Sequence, residues 1–124
     1  MLQLIIIGFG GFFGAIARYW LSGFVMRSFD TNFPHGTLAV NVFGCFALGF
    51  LMTIFDERVF VNTELRSFLT IGFLGALTTF STFGFETISL LKAQEFVAAF
   101  ANIGASLLLG LIAVYFGIVS AKAV

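Results

Sequence analysis

Charge is what this sequence has least of. Its 124 residues include six Lys or Arg, six Asp or Glu and one His, 10% charged in all, with a formal net charge of +0. A soluble domain carries about 25% charged residues, so this composition does not supply a water-facing surface. No Lys/Arg run is present, which removes nucleic acid from the expected partners. Cys45 is the only cysteine, so no disulfide can form within one chain. No nucleophile–base pair or cluster of metal-ligating side chains is recognisable, and an enzyme is not expected. The first residues lack the charged leader and small-residue cleavage site of a signal peptide, so Met1 is expected to open the first helix.

What is present is apolar: 60% of the residues are hydrophobic and the mean hydropathy is +1.09. A membrane-crossing helix needs about 20 mainly apolar residues, and four windows supply them, at 2–26, 37–55, 67–91 and 96–121. The first is interrupted only by Arg18 and the third holds Glu86, while the other two carry no charge. The connectors "RSFDTNFPH" (27–35), "DERVFVNTELR" (56–66) and "KAQE" (92–95) are too short to separate domains. The expected fold is therefore all-α, a single four-helix transmembrane domain over residues 1–124. Fourteen glycines, several in small-xxx-small pairs such as Gly10/Gly14, Gly11/Ala15 and Ser106/Gly110, suit helices that approach closely in lipid.

Positive charge gives little instruction about orientation. With four spans, the N-terminus, the 56–66 connector and the C-terminus share one side, which holds Arg58, Arg66 and Lys122. The other side holds Arg27 and Lys92, joined by Arg18 if that side chain snorkels outward. Lys/Arg bias normally sets topology, and here it is nearly balanced. A chain that inserts both ways can pair with an inverted copy about a two-fold axis in the membrane plane, and symmetric dimers are the commonest oligomers. An antiparallel, dual-topology homodimer in a cell membrane is the expected assembly.

The polar residues within the spans carry the chemistry. Asn41, in "LAVNVFGCF", reads either as an interhelical hydrogen bond or as an amide donor to an anion. Charges inside a membrane mark functional sites by default. Arg18 reads as an anchor or as a vestibule charge, and Glu86 is close enough to the end of its span to reach the interface. The densest signal is "GFLGALTTFSTFGFE" (72–86), where glycines and adjacent threonines weaken the helix. Non-helical backbone at membrane depth is tolerated only where it is buried in protein or lines a cavity. A break near 75–80 is expected, offering carbonyls to a cation and N–H groups to an anion. Phe80 and Phe83 are three apart and share a face. Their ring edges are positively polarised, so the pair reads either as an anion-facing edge beside the hydroxyls of Ser81 and Thr82 or as ordinary packing.

Over essentially its whole length the sequence resembles the Fluc fluoride channels, also called the CrcB family. The matching stretches are "GGFFGAIARYW" (10–20), "GTLAVNVFG" (36–44) and "GFLGALTTFSTFGFET" (72–87). The resemblance implies a dual-topology dimer in the bacterial inner membrane that passes fluoride out of the cytoplasm, through a pore on each side of the dimer interface. It makes Asn41 a pore-lining donor, Phe80 and Phe83 the ring-edge pair, and Ser81 and Thr82 hydroxyl donors along the path. It implies a structural sodium ion, not transported, held on the two-fold axis by the backbone carbonyls of Gly75 and Thr78 from both chains. Arg18 matches the family's arginine at the end of the first helix. On the fourth helix, Ser106 matches a family serine, and Asn102 stands where relatives often have tyrosine. "GA" at 75–76 replaces the commoner "GG". The rival reading is a small dual-topology, proton-coupled exporter of organic cations. Such exporters rely on an acid in the first span, which this chain lacks, leaving Glu86 as the only candidate.

Overall fold

Each apolar window becomes a helix, slightly longer than the window because the ends run on into polar surroundings. The structure, a computed structural model, describes residues 1–57 and 62–124. Arg58, counted in the charge balance, lies outside the described residues. The first two spans are α1 (Leu2–Arg27) and α2 (His35–Glu57). The third, Thr63–Lys92, is assembled from α3 (Thr63–Arg66), a π-helical stretch (Ser67–Leu74), α4 (Gly75–Leu77), two extended residues and α5 (Phe80–Lys92). The fourth is α6 (Phe96–Lys122). All four spans are long and apolar enough to cross a membrane, and there is no strand among the described residues.

Local chemistry sets the helix ends. Pro34 has no N–H to leave unsatisfied, and its carbonyl accepts the first bond of α2 from Leu38 N–H at 3.1 Å. The Asn62 side chain accepts from the N–H groups of Glu64 (2.7 Å) and Leu65 (3.4 Å), capping α3. Between α5 and α6 the chain reverses through Gln94, the only non-glycine residue with positive φ (60°) among those described. The N–H of Gln94 reaches the carbonyl of Leu91 (3.0 Å) and that of Glu95 reaches Leu90 (2.9 Å). That is the Schellman closure of a helix, with glutamine where glycine is usual.

Glycine sets the packing, and it does so by size, since no glycine has positive φ. Gly49 of α2 lies on the backbone of Val114, and Gly117 of α6 lies on the backbone of Phe46 and Phe50, so α2 and α6 interlock. Gly10 and Gly14 bring α1 onto the backbone of Phe68, Gly72 and Phe73 in the third span. Small and aliphatic side chains such as Val40, Leu74, Leu77 and Ala99 fill the interior, whereas Phe9, Trp20, Phe100 and Leu108 are exposed. An apolar exterior on four spanning helices belongs in lipid. The protein is a multi-pass membrane protein.

Candidate functional site: a broken helix and the cavity beside it

The third span breaks near its middle, within the 75–80 range the sequence indicates. Thr78 (φ −85°, ψ 155°) and Thr79 (φ −153°, ψ 118°) are both extended, which ends α4 and starts α5 afresh. Asn41 on α2 holds the break from the side. Its Oδ1 accepts from Thr79 N–H at 2.8 Å, and its Nδ2 donates to Thr79 O at 3.0 Å. The Thr79 hydroxyl caps α5 by accepting from Thr82 N–H at 3.2 Å and donates to Thr82 Oγ1 at 3.0 Å, with Ser81 Oγ 3.3 Å away.

These bonds have a consequence for two carbonyls. In an unbroken helix Thr79 N–H would donate to Gly75 O, and Thr82 N–H to Thr78 O. Both donors are turned elsewhere, to Asn41 Oδ1 and Thr79 Oγ1. Gly75 is exposed and Thr78 half-buried.

Beside the break is a cavity of about 480 Å³ whose lining includes Asn41, Gly75, Thr78, Phe80, Phe83 and Ser106. Six sequence-predicted positions from three spans are thereby brought to one place. Cys45 and Thr79 also line it. The rings of Phe80 and Phe83 lie 5.4 Å apart at 45°, and Phe80 is 81% exposed at the mouth.

The other predicted residues lie elsewhere. Arg18 and Thr82 line a neighbouring cavity of about 280 Å³ with Ser22, Thr37 and Thr79, so Thr79 borders both spaces. Ser81 is exposed on the first turn of α5. Glu86 borders a third space of about 350 Å³ with Asn32 and Glu95. Its Oε1 accepts from Thr37 Oγ1 at 2.8 Å, while its Oε2 is buried without a partner. Asn102 is only 2% exposed and is absent from the lining of the large cavity. It donates to Thr87 Oγ1 at 2.9 Å, and Thr87 Oγ1 donates in turn to Phe83 O at 2.8 Å, tying α6 to α5 behind the ring pair. Among the described residues no group of three or more His, Cys, Asp or Glu gathers as for a metal ion. Sequence reasoning passed over Thr37 and Thr87, and read Thr79 only as a helix-weakening residue at the middle of the third span. Only Thr79 had a readable signal, a threonine three residues ahead of Thr82 at the start of a helix.

Comparison with known proteins gives the family. Residues 5–118 match the family described as CrcB-like protein, Camphor Resistance (CrcB). A protein of Hydrogenovibrio crunogenus named fluoride-specific ion channel FluC is 49% identical over 122 residues, covering 98% of this chain and 92% of its own length. One of the same name from Campylobacter fetus is 49% identical over 112 residues, covering 90% of this chain and 87% of its own. Fluoride-specific ion channel FluC 1 of Methanosarcina acetivorans is 46% identical over 121 residues, covering 98% and 92%. With so much of its length matched, the chain belongs to the CrcB family.

Proposed function

We propose that this protein is a fluoride-specific ion channel that lets fluoride leave the cytoplasm passively, limiting its toxicity, and that it works as an antiparallel homodimer. The observation that carries the reading is the cavity at the break, where an amide, hydroxyls and two aromatic rings converge near the middle of the third span. Fluoride is small and strongly hydrated, so a path through lipid must replace water with donors. Ser81 and Thr82 offer hydroxyls, Asn41 offers an amide N–H, and Phe80 and Phe83 offer positively polarised ring edges. Ser106 continues the track on α6, while Asn102, one turn before it, is buried against Thr87. The N-terminus of α5 adds the positive end of its dipole. Relatives named as fluoride channels support the ion's identity and weigh against the cation exporter.

A second copy is supported by what one protomer leaves open. Phe80 is 81% exposed although it lines the cavity at the break. The carbonyls of Gly75 and Thr78, deprived of their helical donors, fit a hard monovalent cation. In the dimer, those of both chains would hold the sodium ion implied by the family resemblance, whose coordination would satisfy the freed carbonyl oxygens. The test is flux from liposomes holding purified protein. Passive, electrogenic fluoride release is expected without a proton gradient, with little chloride release. Equal chloride and fluoride flux would refute selectivity, and strict dependence on a proton gradient would place the protein among transporters.

A further inference from the structure

Every polar group of Thr79 is engaged: N–H and C=O with the Asn41 amide, Oγ1 with Thr82. The partners give these bonds direction. A backbone N–H can only donate, so the Asn41 atom facing it must be the oxygen, and the amide cannot flip without setting donor against donor. One hydrogen of Asn41 Nδ2 is spent on Thr79 O. The other stays unspent on a side chain that lines the large cavity. The backbone of Thr79 thus decides that Asn41 offers this cavity a donor.

The hydroxyl of the same residue acts on the ring pair. By accepting from Thr82 N–H it fixes the first turn of α5, and that turn carries Phe80 and Phe83. Thr79 is buried and extended, between an α2 side chain on one side and the α5 start on the other. We infer that Thr79 is a positioning residue for fluoride conduction, orienting the Asn41 donor through its backbone and the Phe80–Phe83 pair through its hydroxyl. This rests on the proposed channel function.

Thr79→Val keeps the shape and removes Oγ1, whereas Thr79→Ser keeps the cap. Single-channel recording in planar bilayers counts only assembled channels, so loss of folded protein does not imitate loss of conduction. The unitary fluoride current of Thr79→Val is expected to fall about fivefold or more, the population shift that loss of an N-cap produces. Thr79→Ser should stay within about twofold of wild type, since serine caps as well as threonine. Thr53→Val is the control. It removes a threonine hydroxyl that bonds only the Gly49 carbonyl of its own helix (2.8 Å), and its current should not change. A spectroscopic arm reads position directly, with Phe83 replaced by 4-fluorophenylalanine and followed by fluorine NMR. One narrow side-chain resonance is expected in wild type and Thr79→Ser, and a broadened or split one in Thr79→Val. If Thr79→Val does not assemble, Thr79→Cys replaces it, because a thiol is a weak acceptor and its current should lie clearly below that of Thr79→Ser. Wild-type current with a single narrow resonance in Thr79→Val, or equal currents for the serine and cysteine variants, would overturn the inference. A wild-type protein silent to fluoride would instead defeat the channel reading, and the NMR arm would still judge the positioning role.

Discussion

Replacing Gly117 by alanine adds one methyl where α6 lies against α2. That carbon would stand 2.8 Å from Phe50 N and 3.2 Å from the Phe46 carbonyl carbon, and closer still to the Phe46 oxygen. Even a weak C–H···O contact needs about 3.3 Å between carbon and oxygen, so α2 must retreat by about 1 Å. A gap of that size forfeits a quarter to a half of each dispersion contact along the seam. Such overpacking costs about 1–3 kcal/mol, and Gly49→Ala, which meets Val114 from the other helix, should cost the same. One retreat relieves both clashes, so the double variant should lose clearly less than the sum. Gly23→Ala is the contrast: nothing lies within 4 Å of its Cβ, and alanine there should stabilise α1 by about 0.5–1 kcal/mol. Resistance to unfolding by SDS in mixed micelles measures all four variants. The close-approach argument fails if Gly117→Ala matches wild type, or if Gly23→Ala is destabilised as much as Gly117→Ala.

Gln94→Gly should raise stability in the same assay by about 0.5–1 kcal/mol, since φ of 60° strains any side chain; a loss would show that the glutamine side chain has an undetected role. Phe80→Ile, at an 81% exposed site, should leave the protomer within about 0.5 kcal/mol of wild type while cutting fluoride flux about tenfold or more. Unchanged flux in both Phe80→Ile and Phe83→Ile would return the pair to packing. Adding three lysines after Lys122 should fix one orientation and abolish activity, with recovery on co-expression of an oppositely biased chain; full activity from the locked chain alone would dispose of the antiparallel dimer.

The helices were legible because a bilayer enforces length and hydropathy on every span. The break was legible too: Gly75, Thr78 and Thr79 are helix-weakening residues gathered at mid-span, where non-helical backbone needs protein or a cavity beside it. The π-helical stretch was not. "SFLTIGFL" has the composition of an ordinary apolar helix, although its Gly72 lies against the α1 backbone at Ile7, Gly10 and Gly11. Nor could sequence show that Asn41 holds Thr79, since that pairing depends on how α2 is set against a segment 38 residues away. Asn102 and Ser106 are four apart and share a face of α6, yet only Ser106 lines the large cavity. At Asn102 α5 covers the helix through Thr87, and at Ser106 the break leaves it uncovered.

A break in the membrane interior exposes two helix ends at once, and they differ in sign. The end of α4 presents carbonyls and the negative pole of its dipole, while the start of α5 presents N–H groups and the positive pole. Asn41 and Thr79 sharpen the division. By taking the N–H groups of Thr79 and Thr82 for themselves, they leave the Gly75 and Thr78 carbonyls without hydrogen to meet, and keep an amide donor and two ring edges on the α5 side. Close to the break, each pole favours its own kind of partner over a few ångströms. In the proposed dimer a fixed cation at the carbonyl pole and a moving anion at the donor pole do not compete for one site. They complete opposite halves of the same interruption, backbone carbonyls on one side and an amide with two ring edges on the other, so a chain with few charged side chains can still offer partners to both kinds of ion.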